Sequence, residues 1–351
     1  MTESAVAENN SRDSEDPGGG RRFLPGLGYF LAKALVSVGL LYYLLSELDL
    51  EAFSRVLSQT APLLFAGAVG LFLLSNALGA LQWYLLLRAQ NLAVSLRQAV
   101  VFYWVGVFFN NVLLGNIGGD ALRIYDIRRL TGEGSGAAAA TFMDRFVGLF
   151  STCFLALSAY ALIAEVRVVG VVSVLLPVWL ALVCLLAMGL SRRLGIRVQN
   201  LIDRLLPAQV ASLIANLRQS IVVYRHCGRL LVIVWLVSLG VQLSRILVYW
   251  TAGAAVGLVL DLSYFVGFQP VAAVIAALPI SIGGLGVREG VLVELFGLVG
   301  ANEPLAFAMS LLGYAAGIVA SLMGGIAFIF RRVQPDAHRK EAERPSSATG
   351  T

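Results

Sequence analysis

Histidine, cysteine and charge are all scarce in this 351-residue chain. Its two histidines, His226 and His338, fall in a polar loop and a polar tail, which excludes histidine-based metal or acid–base chemistry inside an apolar domain. Cys153, Cys184 and Cys227 lack metal-site spacing and are expected to be reduced packing residues. Charged residues make up only 13% of the chain against 58% hydrophobic, which excludes a soluble globular domain. No basic patch is interleaved with aromatics, so no nucleic-acid partner is expected, and no ATP-binding glycine loop is present. A signal-peptide pattern is also missing, because Arg21 and Arg22 directly precede the first long apolar run.

What the chain has in abundance is apolar sequence. A spanning helix needs about 20 apolar residues, and the runs 27–45, 62–86, 137–164, 168–190, 230–257 and 304–330 provide six. Two further stretches, 99–115 and 262–282, are shorter or broken. Within a bilayer the backbone has to satisfy its own hydrogen bonds, and these runs read as helices rather than alternating strands.

Basic residues set the orientation. Arg21 and Arg22, the arginine-rich segment 191–229, and Arg331 with Arg332 place both termini and that segment in the cytoplasm. The chain is inside at Arg88 and Arg97, and inside again at Arg128 and Arg129, so 99–115 and the helix after it should enter from the cytoplasm and return. It is outside near Asp261 and outside again before Pro304, so 262–300 should be a second hairpin from the opposite face. The expected fold is an all-α polytopic membrane protein, with six full transmembrane helices and two re-entrant helical hairpins in an inverted-topology repeat. Its halves are 27–164 and 168–330 within a membrane domain at 23–330. Segment 191–229, with Leu201, Leu205, Leu206, Leu213 and Leu217, is an amphipathic linker along the cytoplasmic surface. Residues 1–22 and 331–351 are expected to be disordered cytoplasmic tails of a plasma (inner) membrane protein. The competing reading lets 99–115 span, giving a conventional bundle of eight or nine helices.

Each odd segment runs into the same heptamer, Ile-Gly-Gly-x-x-x-Arg. It occurs as Ile117, Gly118, Gly119, Asp120, Ala121, Leu122, Arg123 and as Ile282, Gly283, Gly284, Leu285, Gly286, Val287, Arg288. Paired glycine-interrupted segments in corresponding positions of two halves point to a transporter's binding site. The glycines let backbone approach a ligand, the residues after them open a half-helix, and free N–H groups with an arginine one turn in make an anion site. A phosphate fits best. Glu289 comes directly after the second copy, and Asp120 shares a helix face with Arg123. Asp144 and Arg145 lie about two turns into an apolar run, and Arg245 sits mid-span, where an unpaired arginine costs at least ~2.5 kcal/mol. Arg245 therefore needs an acidic partner or a hydrated cavity. The alternatives are that the glycines only allow close helix packing and that the charges are internal ion pairs. Asn76, Asn110 and Asn111 either line a cavity or bond across helices.

Three runs carry a family resemblance: Gly118-Gly119-Asp120-x-x-Arg123, Asp144-Arg145, and Pro279-x-Ser281-x-Gly283-Gly284-x-Gly286-x-Arg288-Glu289. Together they resemble the flippase-like transmembrane domain of lysylphosphatidylglycerol synthases over roughly residues 27–330. The resemblance implies an inner-membrane domain that moves a lipid headgroup between leaflets, with stand-alone relatives accompanying glycolipid, hopanoid or polyprenyl-linked pathways. Two departures stand out. No soluble aminoacyl-transferase domain accompanies the motifs, so synthesis of lysylphosphatidylglycerol is not expected, and Asp144 stands where Glu is more common.

The leading expectation is a non-enzymatic, flippase-like transporter without a cofactor, moving an anionic phospholipid, an aminoacyl- or glycolipid or a polyprenyl-phosphate lipid between leaflets. Gly118, Gly119, Gly283 and Gly284 would shape its site. Arg123 and Arg288 would hold the phosphate, and Asp120, Asp144 and Glu289 would pair with them when the site is empty or meet a cationic headgroup. Arg145 and Arg245 would complete the cavity. One alternative is a non-transporting accessory subunit that partners a glycosyltransferase or lipid-synthesis enzyme. The other is a membrane enzyme acting on a lipid phosphate, which would want clustered carboxylates or a nucleophile with a base.

Overall fold

The computed structural model describes residues 60–112, 118–167, 171–205, 207–278, 281 and 284–330. The expected first span at 27–45, both tails, Gly283 and the isoleucines at 117 and 282 lie outside the described residues. Eleven α-helices and no strand occur among the described residues. Five are long and apolar enough to cross a membrane: α1 (Pro62–Ala89), α4 (Gly134–Leu162), α5 (Val171–Leu190), α8 (Gly228–Ala255) and α11 (Glu303–Phe330). Their ends differ from the apolar runs by no more than three residues, as at 86 against Ala89. Large apolar side chains such as Leu236, Leu322 and Ile329 face outward, as a lipid-facing surface requires.

The central pair is α1 against α8. The two run antiparallel: the Ala61 N–H donates to the Ala255 carbonyl at 2.9 Å at one end, and Ser75 Oγ reaches the Val241 carbonyl at 3.4 Å near the middle. Pro62 opens α1, where a missing N–H costs nothing.

The two broken segments form helical hairpins. In the first, α2 (Leu96–Val112) starts on a reciprocal Ser95–Gln98 capping box and runs 17 residues, about 25 Å against a hydrocarbon thickness of about 30 Å. α3 (Gly118–Thr131) then folds back along it. The crossing is backbone against backbone, since a Cβ on Gly119 would sit 1.8 Å from the Gly106 carbonyl oxygen. In the second hairpin, α9 (Leu262–Ala276) begins at Asp261, whose side chain accepts from the Ser263 N–H at 2.8 Å. That hydrogen bonding holds the exposed Asp261 carboxyl below its ordinary value. α9 packs against α10 (Val287–Gly297), with Gly284 at φ +78° lying against Ala276.

Reciprocity runs through the packing. α2 lies against α11 as α9 lies against α4, and each hairpin's second arm also touches the long helix that comes after it. α8 and α10 both end in Schellman turns with positive-φ glycines, Gly257 and Gly300.

The segment expected as one amphipathic stretch is two helices, α6 (Arg192–Leu205) and α7 (Ala208–Val222). Leu201 is exposed, as a surface-lying helix would have it. The side chains of Leu205, Leu206, Leu213 and Leu217 lie outside the described residues. Arg218 Nε donates to the Met188 carbonyl at 3.2 Å and Arg225 Nε to the Leu190 carbonyl at 3.0 Å, satisfying acceptors that α5 leaves open at its C-terminus. Of the three cysteines only Cys153 packs in the protein core; Cys227 is half-buried and Cys184 is exposed on α5.

Two large apolar clusters hold the bundle, beside a small one of Ala68, Val248 and Ala316. One gathers Trp83, Leu86, Met143, Ile221 and Val234, and the other gathers Cys153, Ile246, Phe265, Phe296 and Met309. Along α4 and α8 the residues between these clusters turn polar, and there the bundle opens into a cavity.

Candidate functional site

The cavity has a volume of about 380 Å³ and draws its lining from α1, α2, α3, α4, α8, α9, α10 and α11. Four arginines reach it, Arg123, Arg145, Arg245 and Arg288, against one carboxylate, Asp144. Asn76, Asn110 and Asn111 all line it, which decides between the two roles left open for Asn76 and Asn111 and gives Asn110 both.

The first hairpin builds the denser cluster. Gly118 opens α3, and buried Gly119 lets the helix start press against α2. Asp120 in the first turn accepts from Arg123, one turn along, and from Arg145 through two bonds of 2.8 Å. Arg123 is almost wholly buried and also meets Asp144 at 3.4 Å, while Gln82 donates to Asp144 at 2.8 Å. The Arg123 guanidinium lies over the rings of Tyr103 and Trp83, at 4.8 and 5.2 Å. Such contacts strengthen as water is removed.

The second hairpin repeats the idea with fewer parts. Gly284 and Gly286 adopt left-handed backbone at φ +78° and +81°, turning the chain into α10. Glu289 is fully buried, accepts from the Gly286 N–H at 2.7 Å and pairs with Arg288 at 3.0 Å. Arg288 lies 4.7 Å over the ring of Tyr314. Where Arg123 meets the acid Asp144 on α4, Arg288 meets the aromatic Tyr314 on α11.

Two expectations are sharpened. The helix starts do not offer all their N–H groups to a ligand: Gly119 N–H donates to Asn110 Oδ1 at 2.9 Å, and Gly286 N–H is held by Glu289. The chain's own side chains occupy these positions because a buried N–H left open is costly. Arg245 lines the cavity but has no acidic partner among the described residues; its Nε donates to Ser75 Oγ at 3.2 Å. Among the site residues expected from sequence, Arg123, Asp144, Arg145, Arg245 and Arg288 line the cavity, Asp120 and Glu289 pair with the lining arginines, and Gly283 lies outside the described residues.

Sequence reasoning missed Gln82, Tyr103, Trp83, Tyr249 and Tyr314. Gln82 was visible as an amide inside an apolar run; the aromatics carried no signal, because aromatic residues are ordinary in such runs. No group of three His, Cys, Asp or Glu side chains placed to hold a metal ion occurs among the described residues.

Comparison with known proteins supplies a family. The family described as lysylphosphatidylglycerol synthase TM region matches residues 30–325. A UPF0104 membrane protein of Methanothermobacter thermautotrophicus is 27% identical over 301 residues, covering 79% of this chain and 86% of the relative. No solved structure matches.

Proposed function

Since the chain belongs to the lysylphosphatidylglycerol synthase transmembrane-region family, and is a multi-pass membrane protein, we propose that it moves lipids with an anionic headgroup between leaflets. The observation that carries this reading is the cavity itself, four guanidinium groups and one carboxylate in the interior of an apolar bundle. Charge at that depth is costly and marks a pathway for a charged cargo.

In this reading both short hairpins are re-entrant, entering from opposite faces, and the halves are inverted repeats. The reciprocal packing of α2 on α11 and α9 on α4 supports it, as does the length of α2, about 25 Å. The ion pairs Asp120–Arg123 and Glu289–Arg288 close the hairpin starts when no lipid is present. A lipid phosphate exchanges with these carboxylates as the halves rock about the cavity, while the acyl chains stay outside in the bilayer. Residues 30–325 match the membrane region of the family, and the arginine cavity lies within them, which supports transport rather than synthesis.

The test is reconstitution into liposomes carrying fluorescent phosphatidylglycerol or a polyprenyl phosphate, read by quenching from one side. The wild type is expected to move anionic lipid well above the rate of empty liposomes, and Arg288→Ala to lose at least tenfold, the scale of one lost charge-assisted contact. A wild-type rate equal to empty liposomes would remove the transport reading and leave the accessory-subunit one.

Topology gives a separate prediction. In a variant whose three native cysteines are replaced, a cysteine at Asn302 should react with an impermeant maleimide added outside cells, and one at Gln90 only after permeabilisation. Equal reaction at both positions in intact cells would refute the opposed hairpins.

A further inference from the structure

We propose that the anion's resting anchor is Arg245 with Asn76, at the crossing of α1 and α8, rather than the twin-motif arginines, and that the site takes a phosphodiester carrying one negative charge. This rests on the transport reading for its biological setting but stands on its own geometry. Arg123, Arg145 and Arg288 each have a carboxylate within ion-pair distance. Arg245 has none among the described residues: its Nε is bonded to neutral Ser75, and its two terminal amino groups have no partner there. Beside Ser75, Asn76 is buried at 1% exposure, and its Nδ2 has no hydrogen-bond partner in spite of lining the same cavity. A buried donor left unused calls for an acceptor.

The groups left open at the α1–α8 crossing are donors, from one guanidinium fork and one amide, while the unpartnered acceptor Gln82 Oε1 belongs to the Asp144 cluster. Such a set suits an oxyanion and repels a cation. Charge sets the class. The cavity arginines number four, and the carboxylates paired with or beside them are Asp120, Asp144 and Glu289, so one positive charge is left uncompensated. A phosphodiester monoanion neutralises it, whereas a phosphomonoester dianion brings one charge too many into a water-poor interior. Neither α1 nor α8 carries an acid along its length, so nothing intrahelical competes for Arg245. The twin-motif pairs then act around the anchored anion.

The test is binding, kept apart from transport. Purified protein in neutral detergent is titrated with short-chain phosphatidylglycerol, short-chain phosphatidic acid and inorganic phosphate. Phosphatidylglycerol is expected to bind at least tenfold more tightly than phosphatidic acid; inorganic phosphate competing equally would assign the site to a soluble anion. Arg245→Gln should weaken phosphatidylglycerol binding at least tenfold and Arg245→Lys less, with Asn76→Ala weakening it severalfold as the variant that leaves the guanidinium in place. The proposal is overturned if Arg245→Gln, folded by its melting curve, binds like wild type, or if the Arg288→Gln/Glu289→Gln double variant loses more affinity than Arg245→Gln. It also falls if wild type binds none of the three. Binding in the expected order without leaflet transfer in liposomes would keep the anchor and remove the transport reading.

Discussion

Replacing Glu289 by alanine is expected to lower the unfolding free energy by about 3–5 kcal/mol, the cost of leaving a buried charge without its partner. Glu289 is fully buried, is paired with Arg288 at 3.0 Å, and is the acceptor for the Gly286 N–H at the turn into α10. Its removal strands both a guanidinium and an amide. The Arg288→Met/Glu289→Gln double variant removes both charges but keeps an acceptor for Gly286, so it should recover most of that loss. On the proposed function it still fails to move lipid. Thermal unfolding in nanodiscs, measured beside the liposome assay, separates these effects. An alanine variant that melts like wild type would show that the pair contributes nothing to the fold, while recovered transport in the double variant would remove Arg288 from the mechanism.

Gly119→Ala is expected to cost about 3 kcal/mol, at the upper end of overpacking effects, because the obstruction is backbone. The added Cβ would sit 1.8 Å from the Gly106 carbonyl and 2.7 Å from Asn110 Oδ1, the group that holds the Gly119 N–H. Asn110 is a side chain that can give, but the Gly106 carbonyl is backbone and cannot swing aside, so α3 has to move off α2 and take Arg123 with it. Gly297→Ala is the matched control: its Cβ would meet nothing within 4 Å, and a helical alanine should leave stability equal or raise it by up to about 1 kcal/mol. If the two variants melt alike, the close approach of the hairpin arms is not a structural requirement.

Much of this site was legible in the sequence because charge in an apolar run is conspicuous. Arg123, Arg145, Arg245 and Arg288 stood out for that reason, and all four reach one cavity. The pairing of Asp120 and Asp144 with Arg123, and of Glu289 with Arg288, also stems from burial: such charges need partners. The partners set by tertiary register were not legible. Gln82 and Asp144 are 62 positions apart, and Ser75 and Arg245 are 170 apart. The twin glycines were read as freeing backbone for a ligand. In α3 they free it for Gly106, a use that depends on where the opposing helix crosses and leaves no trace in the motif. Helix ends tracked the apolar runs closely because hydrophobic length and helix length are the same constraint in a bilayer.

The arginine contacts between the linker helices and α5 have a mechanical consequence. Arg218 and Arg225 grip the last carbonyls of α5, and Ile221 packs so closely on Gly189 that a Cβ there would lie 2.4 Å from it. The connection is therefore a strut, not a slack tether. Displacing α5 would mean displacing α7 as well, and the short 3₁₀ turn Val223–His226 that joins α7 to α8 is itself pinned, since buried Tyr224 donates to the Leu86 carbonyl of α1 at 3.3 Å.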